Sequence, residues 1–151
     1  MYIISACLVG ENCKYNGSSN DHDGVRAFIK DKDYILVCPE VLAGCGVPRP
    51  PAEISEGRVY NKLGIDVTKD FEKGAKMAYE LAEARARELD QPIEKAILKA
   101  KSPSCGSGRV YDGTFSGRVV SGDGFTAAFL KAKGIDVLTE EDFKGGLHDR
   151  F

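Results

Sequence analysis

The sequence predicts an α/β fold: a single three-layer Rossmann-like domain with a short, mostly parallel sheet. Two observations support this prediction. Short apolar runs of strand length alternate along the chain with segments of helical periodicity, which is the order found in parallel α/β folds. The apolar runs are also nearly continuous, as in strands that are buried on both faces. In such folds ligands bind beyond the carboxyl ends of the strands, so we expect the functional site at that edge of the sheet.

The first part of the chain supplies two of the strands. A nearly continuous apolar run predicts a strand over residues 2–9, and a second strand is predicted over residues 34–38. Between them, apolar residues at helical spacing predict a short helix over residues 23–31, which Asn20 or Asp21 would cap.

A long connection follows the second strand. Four of the six prolines fall within residues 39–51, which predicts a stiff and non-helical segment, and ordered loops of this length are often functional. Arg49 and Glu53 carry opposite charges and are expected to pair across this segment. A small hairpin is predicted over residues 59–66.

The second half repeats the alternation of helix and strand. A helix is predicted from its N-cap Thr68 to about Leu89, with small and apolar side chains on one face. The remaining elements are a strand, a hairpin around Asp112-Gly113, a helix and a last strand, predicted over residues 95–101, 109–118, 123–133 and 135–138.

Composition limits the classes of function. The 151 residues are expected to form one domain, residues 1–151, with a core of its own. A net charge of −2 gives no bulk attraction to nucleic acid. No basic leader precedes the first apolar run and no run has the length of a membrane span, so we expect a cytoplasmic protein. The two histidines, His22 and His148, are expected to be ordinary loop or terminal residues.

The segment Lys101-Ser-Pro-Ser-Cys-Gly-Ser-Gly-Arg109 concentrates a thiol and several hydroxyls after a predicted strand. Because the proline cannot continue a ladder or a helix, the backbone is expected to bend here and to leave N–H groups in need of partners. A bound anion or a sulfur-rich centre would provide them. Gly122-Asp-Gly, at a predicted helix start, is interpreted either as a cap or as an anion site.

The exits of three predicted strands each carry a cysteine: Cys7, Cys38 and Cys105. Since the carboxyl ends of parallel strands meet at one edge of a sheet, we expect the three thiols to converge. Three thiols can hold zinc or an iron–sulfur cluster, and a cubane with three protein ligands keeps one iron open to substrate. The alternative is that they are buried core residues, because free cysteine is among the most buried residue types.

Several motifs in combination resemble those of the thiouracil desulfidase family. They are Ser5-Ala-Cys-Leu-Val-Gly, Cys38-Pro-Glu-Val, Pro48-Arg-Pro-Pro-Ala-Glu, Asp66-Val-Thr, Leu98-Lys-Ala-Lys-Ser-Pro-Ser-Cys-Gly-Ser-Gly, Tyr111-Asp-Gly-Thr-Phe-Ser-Gly and Gly122-Asp-Gly. The resemblance implies a [4Fe-4S] cluster held by Cys7, Cys38 and Cys105. Its fourth iron would take sulfur from a thiolated pyrimidine and release hydrogen sulfide and uracil without redox change. Cys13 and Cys45 are left out of this ligand set, and Cys45 is the one whose omission is more open to error.

The expected substrate is a small thiolated pyrimidine or a thionucleoside. Related proteins act on 4-thiouridine in tRNA, but the charge of this chain does not indicate tRNA. Glu40, two residues after a proposed ligand, is the candidate general acid or base, and Ser102 and Ser104 are candidates to contact substrate or cluster sulfide. The alternatives are a surface carboxylate for Glu40 and turn formation for the two serines.

Two other classes of function stay open on the sequence. The first is a nucleotide- or anion-binding module without catalysis, which the glycine-rich turn suggests. The second is a thiol redox enzyme, which the absence of a Cys-x-x-Cys pair disfavours. Strand order and oligomeric state are not predicted.

Overall fold

The computed structural model describes residues 1–146, so His148 lies outside the described residues. A four-stranded sheet, in the order β2-β1-β5-β8, is parallel throughout, and two antiparallel hairpins, β3–β4 and β6–β7, lie beside it. The strands are β1 Tyr2–Ser5, β2 Tyr34–Val37, β3 Ala52–Ser55, β4 Arg58–Asn61, β5 Lys95–Leu98, β6 Arg109–Tyr111, β7 Val119–Ser121 and β8 Asp136–Thr139. The α-helices are α1 Asp23–Ile29, α2 Pro39–Leu42, α3 Thr68–Leu89 and α4 Phe125–Ala132.

The sheet lies between two layers, which confirms the predicted three-layer α/β fold. On one face, alanines of α3 and side chains of α4 pack against the strands; on the other, α1 packs with Phe143 from a 3₁₀ segment, Glu140–Gly146. The central strands β1 and β5 supply fully buried side chains to the apolar clusters on both faces of the sheet. Apolar burial on both faces explains why these strands are nearly continuous apolar runs. No helix among the described residues is long and apolar enough to cross a membrane.

The first strand is shorter than predicted. It ends at Ser5, and Ala6–Val9 forms a 3₁₀ turn instead of continuing the ladder. The neighbouring strand β2 explains the difference. Ser5 pairs with Val37, and two residues after Val37 comes Pro39, which has no N–H to continue the ladder between the two strands. Cys7 therefore lies just past the strand, at the carboxyl edge of the sheet.

The connection after β2 also differs from the prediction. A single helical turn, α2, begins with Pro39, because proline is compatible with the first position of a helix. The hairpin that follows is Ala52–Asn61 rather than residues 59–66, and the peptide bond between Val47 and Pro48 is cis. The second hairpin pairs residues 109–111 with 119–121, so its loop is longer than a turn at Asp112-Gly113.

The long helix α3 has the predicted bounds, but Thr68 is not its cap. The N-cap residue is Val67, whose side chain makes no capping bond; the Thr68 hydroxyl accepts a hydrogen bond from the Val59 N–H, and the Thr68 N–H donates to Asp66 at 2.9 Å. In α1 the cap is His22, whose ring Nδ1 accepts from the Val25 N–H, rather than Asn20 or Asp21. The remaining boundaries differ from the predictions by one to three residues.

Candidate active site

A cavity of about 570 Å³ opens at the carboxyl edge of the parallel sheet, where the sequence predicts the site. One side, here called the cysteine wall, consists of Cys7, Cys38 and Cys105 with Glu40 and Ser104. A second group of lining residues, here called the hairpin wall, lies on or next to the two antiparallel hairpins and consists of Ala52, Glu53, Lys62, Tyr111, Phe115 and Gly117. The three strand-end cysteines, Glu40, Ser102 and Ser104 thus all line one cavity.

Cys105 is the most buried thiol of the cysteine wall. The hydroxyl of Ser5 donates to its Sγ at 3.6 Å, and the Ser104 hydroxyl oxygen lies 3.5 Å from the same sulfur, where its single proton can serve either this sulfur or Glu40. Burial raises the pKa of the Cys105 thiol to about 12, and the two hydroxyl donors only partly oppose that effect. A thiolate at this position therefore requires a positively charged partner, which a metal centre provides.

Cys7 and Cys38 are half-buried and more polar in their surroundings. The Asn20 amide donates to Cys7 Sγ at 3.5 Å, and Cys38 Sγ donates to the Cys13 carbonyl oxygen at 3.7 Å. Hydrogen bonding from the Cys13 thiol lowers the pKa of both Cys7 and Cys38, against the opposing effect of burial. The sequence favours Cys45 over Cys13 as a cysteine wrongly left out of the ligand set. The structure shows the reverse, because Cys13 lines the cavity and Cys45 is not among its lining residues.

The turn that carries Cys105 is folded by Ser102. The Ser102 hydroxyl accepts from the Cys105 N–H at 2.8 Å, and its carbonyl oxygen accepts from the Gly106 N–H at 2.9 Å. Gly108 N–H donates to the Asp123 carboxylate at 2.8 Å. The N–H groups of Cys105, Gly106 and Gly108 are therefore paired within the protein and are not free to bind an anion.

Helix α4 supports the same turn from behind. The N–H groups of Gly124, Phe125 and Thr126 donate to carbonyl oxygens of the turn at 2.7 to 2.9 Å. A Cβ atom at Gly124 would lie 2.5 Å from the carbonyl carbon of Ser104, so only glycine permits this approach. The Gly122-Asp-Gly motif thus positions the helix against the Cys105 turn, and the anion-site interpretation is not needed.

Glu40 is positioned by α2, directly after Cys38, and both of its oxygens are engaged. Oε2 accepts from the Ser104 hydroxyl at 3.2 Å, and Oε1 accepts from Arg49 Nε at 3.1 Å. The side chains of Glu40 and Arg49 are only 16% and 8% exposed, so Glu40 is not a surface carboxylate. Buried charges need such pairing.

Arg49 does not pair with Glu53 as predicted. Besides Glu40, it donates to the carbonyl oxygens of Gly46 and Cys13, both at 2.9 Å, and so connects the loops that follow the first two strands. Glu53 instead accepts hydrogen bonds from two backbone N–H groups of the β6–β7 loop. Proximity in sequence favours pairing of Arg49 with Glu53. Arg49 pairs with Glu40 instead, because the two side chains are buried next to each other.

The donor set fits a cofactor with several metal atoms. No group of three or more His, Cys, Asp or Glu in the described part of the chain is arranged to hold a single metal ion. Three thiols around one cavity suit a cubane cluster, because its protein ligands bind separate irons and surround the cluster rather than one ion. Thiolate ligands select iron–sulfur clusters over hard cations.

Comparisons with known proteins show the family of this chain. A solved structure described as the [4Fe-4S]-dependent thiouracil desulfidase TudS is 40% identical in sequence, with a TM-score of 0.83 over 93% of this chain and 91% of that one. The uncharacterized protein YbbK of Bacillus subtilis (strain 168) is 39% identical over 152 residues, which cover 94% of this chain and 97% of YbbK. The family model for 2-thiouracil desulfurase matches residues 2–142. Because this match spans nearly the whole chain, the protein belongs to the 2-thiouracil desulfurase family.

Proposed function

We propose that this protein is a [4Fe-4S]-dependent desulfidase that converts a thiolated pyrimidine to the corresponding oxo-pyrimidine and hydrogen sulfide. The observation that carries the proposal is the convergence of Cys7, Cys38 and Cys105 on a cavity that also contains the Glu40–Ser104 pair. The family membership and the likeness to TudS support the reaction class.

Cys7, Cys38 and Cys105 would hold the cluster as its three protein ligands. When bound, the cluster supplies a Lewis-acidic iron with an open position for the sulfur of the substrate. The chain contributes hydrogen bonds to the ligand sulfurs from Ser5 and Asn20, at 3.6 and 3.5 Å. Such donors orient ligands and tune a metal centre.

The reaction consumes one water molecule. The water oxygen stays on the ring carbon, both water protons leave with the sulfur as hydrogen sulfide, and no electrons are gained or lost. Glu40 is the group that can take a proton from the attacking water and return it to the departing sulfur. Ser104 donates to Oε2 of Glu40 and Arg49 donates to Oε1, so the carboxylate is fixed from both sides.

Ser102 has a different role in this proposal. Its hydroxyl oxygen is already an acceptor for the Cys105 N–H and lies 3.5 Å from the Ser104 oxygen. Ser102 therefore shapes the ligand turn and supports Ser104, while Ser104 makes the contact with Glu40.

A small thiolated pyrimidine or thionucleoside is the proposed substrate. The cavity volume of about 570 Å³ is in the range of small-molecule sites, and the net charge of −2 gives no bulk attraction to RNA, so both favour it over tRNA. Thiouridine-containing tRNA belongs in the same assay as a competing substrate.

The test is sulfide release by protein reconstituted without oxygen. We expect hydrogen sulfide and uracil in equal amounts from thiouracil, and we expect Glu40→Gln to lower kcat by roughly 10²- to 10⁴-fold. Iron content is the control, since Glu40 is not a proposed ligand and the variant should keep it. Failure of cluster-loaded protein to release sulfide from 2-thiouracil, 4-thiouracil or 4-thiouridine, free or in tRNA, would overturn the proposal.

A further inference from the structure

Glu53 connects the two halves of the hairpin wall. Its Oε1 accepts from the N–H groups of Gly113 and Phe115, at 3.0 and 3.1 Å. The residue is only 9% exposed, so its carboxylate is largely desolvated. Its hydrogen bonds go instead to a loop that lies 60 residues further along the chain. A buried carboxylate satisfied by two backbone N–H groups is a strong and specific anchor.

The anchored loop places Phe115 in a backbone conformation that phenylalanine rarely adopts. Its φ is +56°, in the left-handed region, which is disfavoured for bulky residues and is readily adopted by glycine and asparagine. Turn formation alone would therefore favour a different residue. Strained conformations of this kind persist where the surrounding structure fixes them, and they are found at ligand contacts.

Phe115 is half-buried and lines the same cavity as the three thiols. Tyr111, on the strand before the loop, lines it too, so the cavity combines aromatic rings with the thiols, Glu40 and Ser104. Aromatic rings stack on flat heteroaromatic rings, and stacking is the usual way in which proteins hold an unpaired pyrimidine.

We propose that Phe115 is the substrate-stacking residue, which holds the pyrimidine ring against the cysteine wall, and that Glu53 is its positioning residue. The proposal rests on the proposed function for the identity of the ring. It assigns recognition of the base to the hairpin wall, separately from the cofactor and the proton-transfer groups.

The kinetic test compares Phe115→Leu, which keeps an apolar side chain and removes the ring, with Phe115→Tyr, which keeps the ring. We expect Phe115→Leu to raise KM for thiouracil roughly 2- to 10-fold, as loss of one stacking contact implies. Phe115→Tyr should stay close to wild type, and both variants should keep the iron content. An unchanged KM in Phe115→Leu would overturn the proposal.

A binding test uses the absence of tryptophan from the chain. Phe115→Trp makes a single-tryptophan protein, and Val120→Trp is its matched control on the exposed β7 of the same hairpin, outside the cavity. Titration of the cluster-loaded proteins with uracil should quench Phe115→Trp saturably and leave Val120→Trp without a saturable change. Equal responses of the two proteins would contradict stacking at Phe115.

The two tests separate this inference from the proposed function. If wild-type protein releases no sulfide while uracil quenches Phe115→Trp saturably, the desulfidase function fails and the stacking site stands. If wild-type protein releases sulfide while Phe115→Leu has an unchanged KM and uracil does not quench Phe115→Trp saturably, the desulfidase function stands and the stacking site is refuted.

Discussion

The two walls of the cavity are built in different ways. The cysteine wall follows the ends of parallel strands whose side chains, among them Ile4, Ile97 and Leu98, are fully buried in the core. The hairpin wall lies outside that sheet, and the Glu53 carboxylate ties its two hairpins together. The thiols thus stand at the ends of strands fixed in the core, whereas the hairpin wall is held by hydrogen bonds outside that sheet. Substitutions in the two walls should therefore have separable effects.

The largest effects are expected in the cysteine wall. Replacing Cys7, Cys38 or Cys105 singly by alanine should reduce iron from about four atoms per chain to less than about one, because each thiol is a proposed ligand. Sulfide release should be lost with the iron. Iron and acid-labile sulfide analysis after anaerobic reconstitution measures the effect.

Cys45→Ala and Cys13→Ala are the matched controls, and both should keep their iron. Cys13→Ala is the sharper of the two, because Cys13 lines the cavity beside Cys7 and Cys38. Loss of iron in Cys13→Ala would mean that the ligand set has four members rather than three, and full iron in Cys105→Ala would refute the assignment of Cys105.

Gly74→Ala tests how firmly the core fixes the cysteine wall. Alanine in a helix interior is favoured over glycine by about 1 kcal/mol. Here, however, a Cβ atom would collide with the carbonyl oxygen of Pro39, at the start of the turn that carries Glu40. We expect the collision to prevail, with a loss of about 1–3 kcal/mol in the free energy of unfolding and a lower kcat.

Lys73→Ala, on the exposed face of the same helix, is the control for this experiment and should change neither quantity. Chemical denaturation of the two variants beside wild type measures stability. Greater stability in Gly74→Ala would show that α2 moves freely and that the core does not fix Glu40.

Glu53→Leu tests the hairpin wall. Removal of the carboxylate leaves the buried N–H groups of Gly113 and Phe115 without their acceptor, which costs about 1–3 kcal/mol and releases the loop. We expect a several-fold higher KM with iron content unchanged. Glu53→Gln retains an acceptor oxygen and should restore most of the substrate affinity; loss of iron in Glu53→Leu would show that the walls are not independent.

The smallest effect concerns Asp66, which lies away from both walls at the start of α3. Hydrogen bonds and the ion pair with Arg58, then hydrogen bonds from Thr68, hold the pKa of Asp66 well below its usual range. A lowered pKa stabilises the fold at pH values above the ordinary carboxyl pKa, and that contribution is lost as the pH falls through the lowered value. Asp66→Ala should therefore have a slightly lower Tm at pH 7, with a difference that shrinks in strong acid. An equal difference in Tm at pH 7 and in strong acid would contradict this.

The fold and the cysteine wall could be predicted because both follow from local patterns. Apolar runs mark buried parallel strands, and a cysteine after each run places the thiols at one edge. The hairpin wall could not be predicted in this way. Glu53 accepts hydrogen bonds from Gly113 and Phe115, which lie 60 and 62 positions further along the chain. Nothing in the sequence near Glu53 indicates these distant partners.

The two errors nearest the site have the same physical origin. The prediction paired Arg49 with Glu53 because they are close in sequence, whereas Arg49 is buried beside Glu40, which needs a counter-charge. The prediction left the turn around Cys105 short of hydrogen-bond partners, whereas Ser102 and Asp123 provide them. In both cases tertiary contacts decide among choices that the local sequence leaves open.

The central claim is that the cysteine wall holds a [4Fe-4S] cluster. The most direct measurement is iron and acid-labile sulfide per chain after anaerobic reconstitution, in wild type and in the triple variant Cys7→Ala/Cys38→Ala/Cys105→Ala. We expect about four of each in wild type and almost none in the triple variant. Equal iron in the two proteins, or none in wild type, would contradict it.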